Sequence, residues 1–324
     1  MSFVRTVLGD VDPSELGVTY AHEHLVIDGG RPVQMVPEFD LGDVDAMAVE
    51  VGEARALGLR SVVDAMPCDA GRSAEKLAEL STRTGVHIVA PTGLHHDRYY
   101  GPLHWSARIS VEELAGLFVL DVTDGIDTYD YAGPVVRRTT HRAGVLKVAG
   151  SDGGPSARDR RIFEAAAEAH QRTGVPILTH CENGTGALEQ IRTLADLGVD
   201  PSHVALGHVD KVVDRGYHRE LASTGAFVEY DQSFRWGDRP NGTLRLIAWM
   251  TEDGLDDRIV VGMDAARRSY YHVYGGQPGL AWLLDGFRRR LGEAGVDDSV
   301  WVRLFVANPA RLFAFADRKG GDAG

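Results

Sequence analysis

Eight short runs rich in β-branched residues, each followed by a longer segment of helical character, constrain this chain more than any other feature. The runs are Gly17 to His22, Arg60 to Ala65, Val86 to Thr92, Gly144 to Ala149, Val175 to His180, His203 to His208, Ala226 to Asp231 and Arg258 to Asp264. Helical periodicity marks Ala74 to Arg83, Arg158 to Thr173, Gly186 to Leu197 and Tyr217 to Thr224, and several of these segments close on a glycine, as helices prefer. Apolar strands alternating with helices imply a parallel sheet, and eight of them imply a (β/α)8 TIM barrel of class α/β. An open, doubly wound sheet fits the periodicity too. The barrel is preferred because residues able to bind metals or protons recur at most strand ends, and only a closed barrel brings all those ends to one mouth.

One domain over 1–324 is expected, with a long insertion over 95–142 and a frayed polar tail over 317–324. The insertion carries one helix-like piece, Val111 to Thr123, and its length on the catalytic side suits a lid or pocket wall. No window approaches the run of about 18 apolar residues of a membrane helix, and the N-terminus lacks the apolar stretch of a signal peptide, so a cytoplasmic protein is expected. Cys68 and Cys181 are too few and too isolated for a disulfide framework or a thiolate zinc site. A net charge of −13 argues against nucleic acid or an anionic membrane as partner and leaves a small-molecule substrate, anionic ones included. A homodimer is compatible with all of this.

Within Ala21-His22-Glu23-His24-Leu25, two histidines separated by one residue on a strand face the same side, while Glu23 faces away. Lys147, His180, His208 and Asp264 belong to later strand ends. Each has an ordinary explanation alone: a snorkelling lysine, core or capping histidines, a helix-capping aspartate. All six at one mouth are hard to explain that way. The lysine is telling, because an ammonium would repel a cation. A buried lysine of depressed pKa can instead take up carbon dioxide, giving a carboxylate-like carbamate able to bridge two metals. The reading is then a binuclear site, with His22, His24 and Asp264 on one ion, His180 and His208 on the other, and carboxylated Lys147 shared. Zn²⁺ suits these donors best, with Mn²⁺, Co²⁺ or Fe²⁺ as alternatives.

The stretches DPSELGVTYAHEHL (12–25), VDAMPCDAGR (63–72), VHIVAPTG (86–93), AGVLKV (143–148), PILTH (176–180), LGH (206–208), VGMD (261–264) and Asn308-Pro309-Ala310 follow one another strand by strand. In these the chain resembles the phosphotriesterase family of the amidohydrolase superfamily over nearly its whole length. The resemblance implies a TIM barrel, two divalent ions bridged by a carboxylated lysine, and ester hydrolysis, and it places the metal roles on the six residues above. A metal-bridging hydroxide would attack, and Asp264 would carry its proton to the leaving group.

Loops after strands seven and eight are the usual phosphate-holding position in barrels, which marks Arg235, Arg267 and Tyr270 as substrate-binding residues, with His95 on the pocket wall. This pattern resembles the branch that hydrolyses phosphorylated sugar lactones, with Arg235 where that branch has a lysine. Arg268 reads as a surface salt bridge. The homoserine-lactonase branch has a tyrosine and an arginine where this chain has His95 and Gln232, which disfavours a long-chain lactone. The expected function is hydrolysis of a small lactone or ester. The alternatives are an amidase of an N-acylated small acid, a promiscuous phosphotriesterase and, least, a catalytically silent binding protein.

Overall fold

A computed structural model describes residues 2–237 and 239–316; the tail over 317–324 lies outside the described residues. An antiparallel hairpin opens the chain, β1 (Val4–Thr6) with β2 (Gly9–Val11). The parallel strands follow: β3 (Thr19–Glu23), β4 (Ser61–Asp64), β5 (His87–Val89) continuing past Ala90 as β6 (Pro91–Gly93), β7 (Val145–Gly150), β8 (Ile177–Cys181), β9 (Val204–Gly207), β10 (Phe227–Tyr230) and β11 (Ile259–Val261). With β5 and β6 taken as one interrupted strand, these are the eight anticipated runs. After each comes a helix: α1 (Val44–Ala56), α2 (Ala74–Thr84), α3 (Val111–Thr123), α4 (Ala157–Thr173), α5 (Ala187–Asp196), α6 (Arg215–Ser223), α7 (Gly242–Glu252) and α8 (Gly286–Glu293). Local chemistry sets their ends. In α4, Ser156 and Asp159 form a reciprocal capping box, and Gly174 at φ 80° ends the helix by donating its N–H to His170 O.

The strands pair in the order β3-β4-β5 and β6 through β11, and the ring closes where β11 meets β3. At that seam the Met263 and Asp264 amides both donate to His22 O, at 3.2 and 3.0 Å. The fold is a TIM barrel. Its interior is a packed layer to which every strand contributes: Ala21, Val63, Val89, Val145, Leu178, Ala205, Phe227 and Val260. Val4, Leu16, Leu312 and Phe313 pack on the same layer, so the N-terminal hairpin and C-terminal helix plug one end. The hairpin was not anticipated from sequence, because strands of three residues are too short for a periodic signal. The larger cluster lies between strands and helices, and α3 belongs to it through Leu114, Ala115, Phe118 and Val122. Residues 95–142 therefore include the barrel's own third helix.

Gly262 leaves room at the seam, since a Cβ there would lie 2.6 Å from His22 O and 2.8 Å from His22 N. Gly262→Ala is expected to destabilise the protein by about 2 to 3 kcal/mol through overpacking. Gly116→Ala, inside α3 with nothing within 4 Å of the new methyl, is expected to stabilise it by about 0.5 to 1 kcal/mol. Denaturant melts of the two variants against the parent check both signs.

Candidate metal centre and active site

Strand periodicity alone places only part of the site. On β7, Val145 faces the interior, so Lys147 does too, and its four-carbon stem spans the distance from mid-strand to the mouth. Leu178 likewise predicts His180 on β8. His22 is different, because its neighbour Ala21 already points inward. A register shift between Tyr20 and Glu23 inserts one residue opposite β4, and that bulge turns His22 to the interior. His208 directly follows β9 in the left-handed conformation at φ 65°, and Asp264 after β11 adopts φ 49°. Such backbone costs of order 1 to 3 kcal/mol each persist only where the surroundings enforce them.

The six residues converge. Lys147 Nζ donates to His22 Nε2 at 3.2 Å; His22 Nε2 is 3.6 Å from Asp264 Oδ1, and His24 Nε2 donates to the same oxygen at 3.1 Å. The His208 ring packs on His22 and His180, with centroids 4.9 and 4.4 Å away. Donor atoms of His22, His24 and Asp264 lie within 4.8 Å of one another, and those of His22, His208, Glu229 and Asp231 form a second such group. His180 joins through ring packing. Its Nε2 donates to Glu182 Oε2 at 2.8 Å.

Carboxylates behind the imidazoles set their orientation. His22 Nδ1 donates to Glu229 Oε2 at 3.0 Å, and His208 Nδ1 donates to Asp231 Oδ2. Such pairing fixes which ring nitrogen faces a metal and raises its basicity. Glu229 and Asp231 were missed in the sequence, although both follow Phe227 at the inward period of two. Burial and neighbouring cations shape the charges. Burial, helped by Lys147, holds the His22 imidazolium pKa well below its usual value, burial lowers His208, and burial takes His180 down to about 3. These three rings are neutral near pH 7, the form that coordinates metals. Burial also lowers Lys147 to about 8. Asp264 is partly buried, which opposes ionisation, yet His208, His24 and Arg235 hold its carboxyl well below the carboxylate range. Among the described residues, His24 Nδ1 and Glu229 Oε1 are buried without a hydrogen-bond partner. Imidazole nitrogens, a carboxylate and a depressed amine at one mouth fit divalent ions of the Zn²⁺ type.

Above the cluster opens a cleft of about 260 Å³. Ile27, Phe39 and Met66 supply its apolar wall, and His95, Arg98, Tyr99, Lys211, Arg267 and Tyr270 its polar one. The His95 ring sits 4.8 Å from His180's. Tyr100 and Trp105 instead anchor the wall from outside: Tyr100 OH donates to Cys68 O at 3.0 Å, and Trp105 Nε1 to Asp69 Oδ2 at 2.9 Å. The two arginines separate. Arg235 Nη1 donates to Asp231 O and Met263 O, both at 2.7 Å, its Nη2 to Asp264 O at 2.5 Å, and its guanidinium lies against Phe234 and Tyr270. Arg267 stands exposed over the Phe39 ring with no ion pair among the described residues. Lys211, one turn after His208, also lacks one and was not anticipated. Arg268 pairs with Asp40 at 2.9 Å, at the surface.

The model of the phosphotriesterase family matches residues 2–313. The chain belongs to that family. A phospho-furanose lactonase of Mycoplasmopsis synoviae is 32% identical over 99% of this chain and 94% of its own. An amidohydrolase structure from Mycoplasma synoviae superposes with a TM-score of 0.95 at 31% identity, covering 99% of this chain and 94% of that one. A lactonase structure from Listeria monocytogenes gives 0.90 at 30% identity, covering 98% of this chain and 100% of that one. With this membership and donor cluster, the chain is a metal-dependent hydrolase of ester bonds acting on small molecules. Family and donor set together support a site for two divalent ions.

Zn²⁺ added to chelator-stripped protein is therefore expected to raise the melting temperature, by the equivalent of about 2.7 kcal/mol per site at a free concentration one hundred times Kd. A melting temperature indifferent to Zn²⁺, Mn²⁺ and Co²⁺ in scanning calorimetry would show that the cluster holds no ion.

Proposed function

We propose that the protein hydrolyses a small lactone carrying an anionic group, a phosphorylated sugar lactone being the foremost candidate. The observation that carries this reading is the placement of Arg267 and Lys211, cations without ion pairs among the described residues, at the rim of a cleft floored by the metal-type cluster. In a chain of net charge −13, such cations act locally, as anchors for an anion. The name of the phospho-furanose lactonase relative supports the same substrate class.

His22, His24 and Asp264 would hold one ion and His180 and His208 the other. The neutral Lys147 amine would add to the carbon of carbon dioxide and lose its proton, giving a carbamate shared by both. When bound, the two ions supply a lowered water pKa and polarise the carbonyl under attack. Asp264 takes the proton of the attacking water and delivers it to the alkoxide that leaves as the ring opens. Arg267 and Tyr270 hold the anionic end, His95 and Tyr99 wall the reacting centre, and Arg235 braces the mouth. Zn²⁺ is the ion the donors favour.

Purified, metal-loaded protein assayed on phosphorylated lactones, plain lactones, acyl amides and an activated phosphotriester tests the proposal. The phosphorylated lactones are expected to give the highest kcat/KM; a preference for amides would replace it with the amidase reading. Lys147→Ala is expected to lose activity and bound metal, with partial rescue of both by short carboxylates, and parental activity without rescue would exclude the carbamate.

The arginines are expected to behave differently. Arg267→Ala should lower kcat/KM about 10- to 100-fold on anionic substrates only, through loss of charge-assisted hydrogen bonds worth roughly 1.5 to 3 kcal/mol. Arg235→Ala should depress turnover of anionic and neutral substrates alike and lower the melting temperature, since its guanidinium serves three carbonyls. Kinetics on a matched pair of charged and neutral lactones separates the two.

A further inference from the structure

Three imidazoles of the cluster each have a carboxylate behind them, and one of the three is built differently. Glu229 and Asp231, which serve His22 and His208, are fully buried on or just after β10, held by packing and by hydrogen bonds from the His208 amide and the Gln232 side chain. Glu182, which serves His180, lies on the turn after β8 with its side chain 21% exposed. A carboxylate open to water needs another constraint to stay on one ring nitrogen. Two are present. The backbone reverses immediately after it, with Asn183 at φ 55° and Gly184 at φ 77°. Arg98, from the turn Asp97–Tyr99 after β6, grips it at two points, Nη1 to Oε1 at 3.1 Å and Nη2 to Oε2 at 2.8 Å. The Oε2 atom that receives Arg98 is the one that accepts from His180 Nε2. Two-point guanidinium pairs fix the plane of a carboxylate as well as its position. Arg98 also lines the cleft and lies against the Tyr99 ring, 5.2 Å from its centroid.

We propose that Arg98 and Glu182 are positioning residues: Glu182 holds the His180 ring so that Nδ1 faces the metal, and Arg98 holds Glu182 from the cleft wall. The geometry leaves His180 a single free ring nitrogen, and the relay joins the β6 turn to one metal position only. The proposal rests on His180 being a metal ligand, as read above.

Metal-stripped parent, Glu182→Ala, Glu182→Gln, Arg98→Ala and the Arg98→Ala/Glu182→Ala double variant are titrated with Co²⁺, followed by visible absorption and calorimetry. The parent is expected to bind two equivalents. Glu182→Ala should weaken one of them about 10- to 100-fold and leave the other unchanged, with kcat falling more than KM rises. Glu182→Gln should weaken it less, since its amide oxygen still accepts from Nε2. Arg98→Ala should weaken the same equivalent, and the double variant should match Glu182→Ala, as expected for residues acting in series. Parental affinity for both equivalents in Glu182→Ala and Glu182→Gln, or equal losses at both, would overturn the relay. So would an Arg98→Ala that keeps both equivalents and raises KM only for anionic lactones. If Glu182→Ala fails to fold, the glutamine and Arg98 variants decide. A parent that binds no Co²⁺ removes the metal reading itself, and is seen before any variant is compared.

Discussion

Closure of the ring at β11 and β3 is the constraint on which the site depends. Glu23 makes it. Its side chain points away from His22 and His24 and is fully buried, and its carboxylate accepts the Met263 amide at 2.7 Å and the Ala265 amide at 3.3 Å. Burial pushes the Glu23 carboxyl well above its usual range, while the two amides pull it back. A buried carboxylate is tolerable only with such partners; the Met263 amide divides between Glu23 and His22 O, and the Ala265 amide is served by Glu23. One short segment of β3 therefore presents two imidazoles to the mouth and holds in register the residue, Asp264, that faces them.

The electrostatics follow from crowding acids and bases where water is scarce. Asp231, Glu229 and Asp210 lie close together beneath the imidazoles, and they do not titrate alike. Burial, reinforced by Asp231, drives Glu229 well above the carboxylate range and raises Asp210 to about 7. Asp231 is buried too, yet His208 draws its carboxyl far below. The negative charge thus concentrates on Asp231, behind His208, and on Asp264, at the mouth. Cys68 and Cys181, pushed up to about 12 by burial, stay protonated and inert. Above this negative floor the rim carries Lys211 and Arg267, while Arg98 is engaged by Glu182.

The strands, the helix at Val111–Thr123 and the presence of six ligand-type residues at the strand ends were legible because period-two and period-3.6 patterns are local, and because a closed parallel barrel admits one mouth. Arg235 shows what that reading leaves out: a guanidinium after strand seven reads as an anion binder, and only the approach of Met263 and Asp264 reveals that, while lining the cleft, it also serves their carbonyls. Glu182 and Lys211 were silent for the same reason, since a charged residue in a turn has no periodicity to interpret. The sequence by itself determined the strand count, the order of the elements and the residue types gathered at their ends, all consequences of side-chain spacing along one chain. The tertiary structure alone decided which way His22 and His208 point, through a bulge and a left-handed residue that break strand alternation, and which carboxylate stands behind each imidazole. Those depend on neighbours remote in the chain, 207 positions away for His22 and Glu229, and no local pattern encodes them.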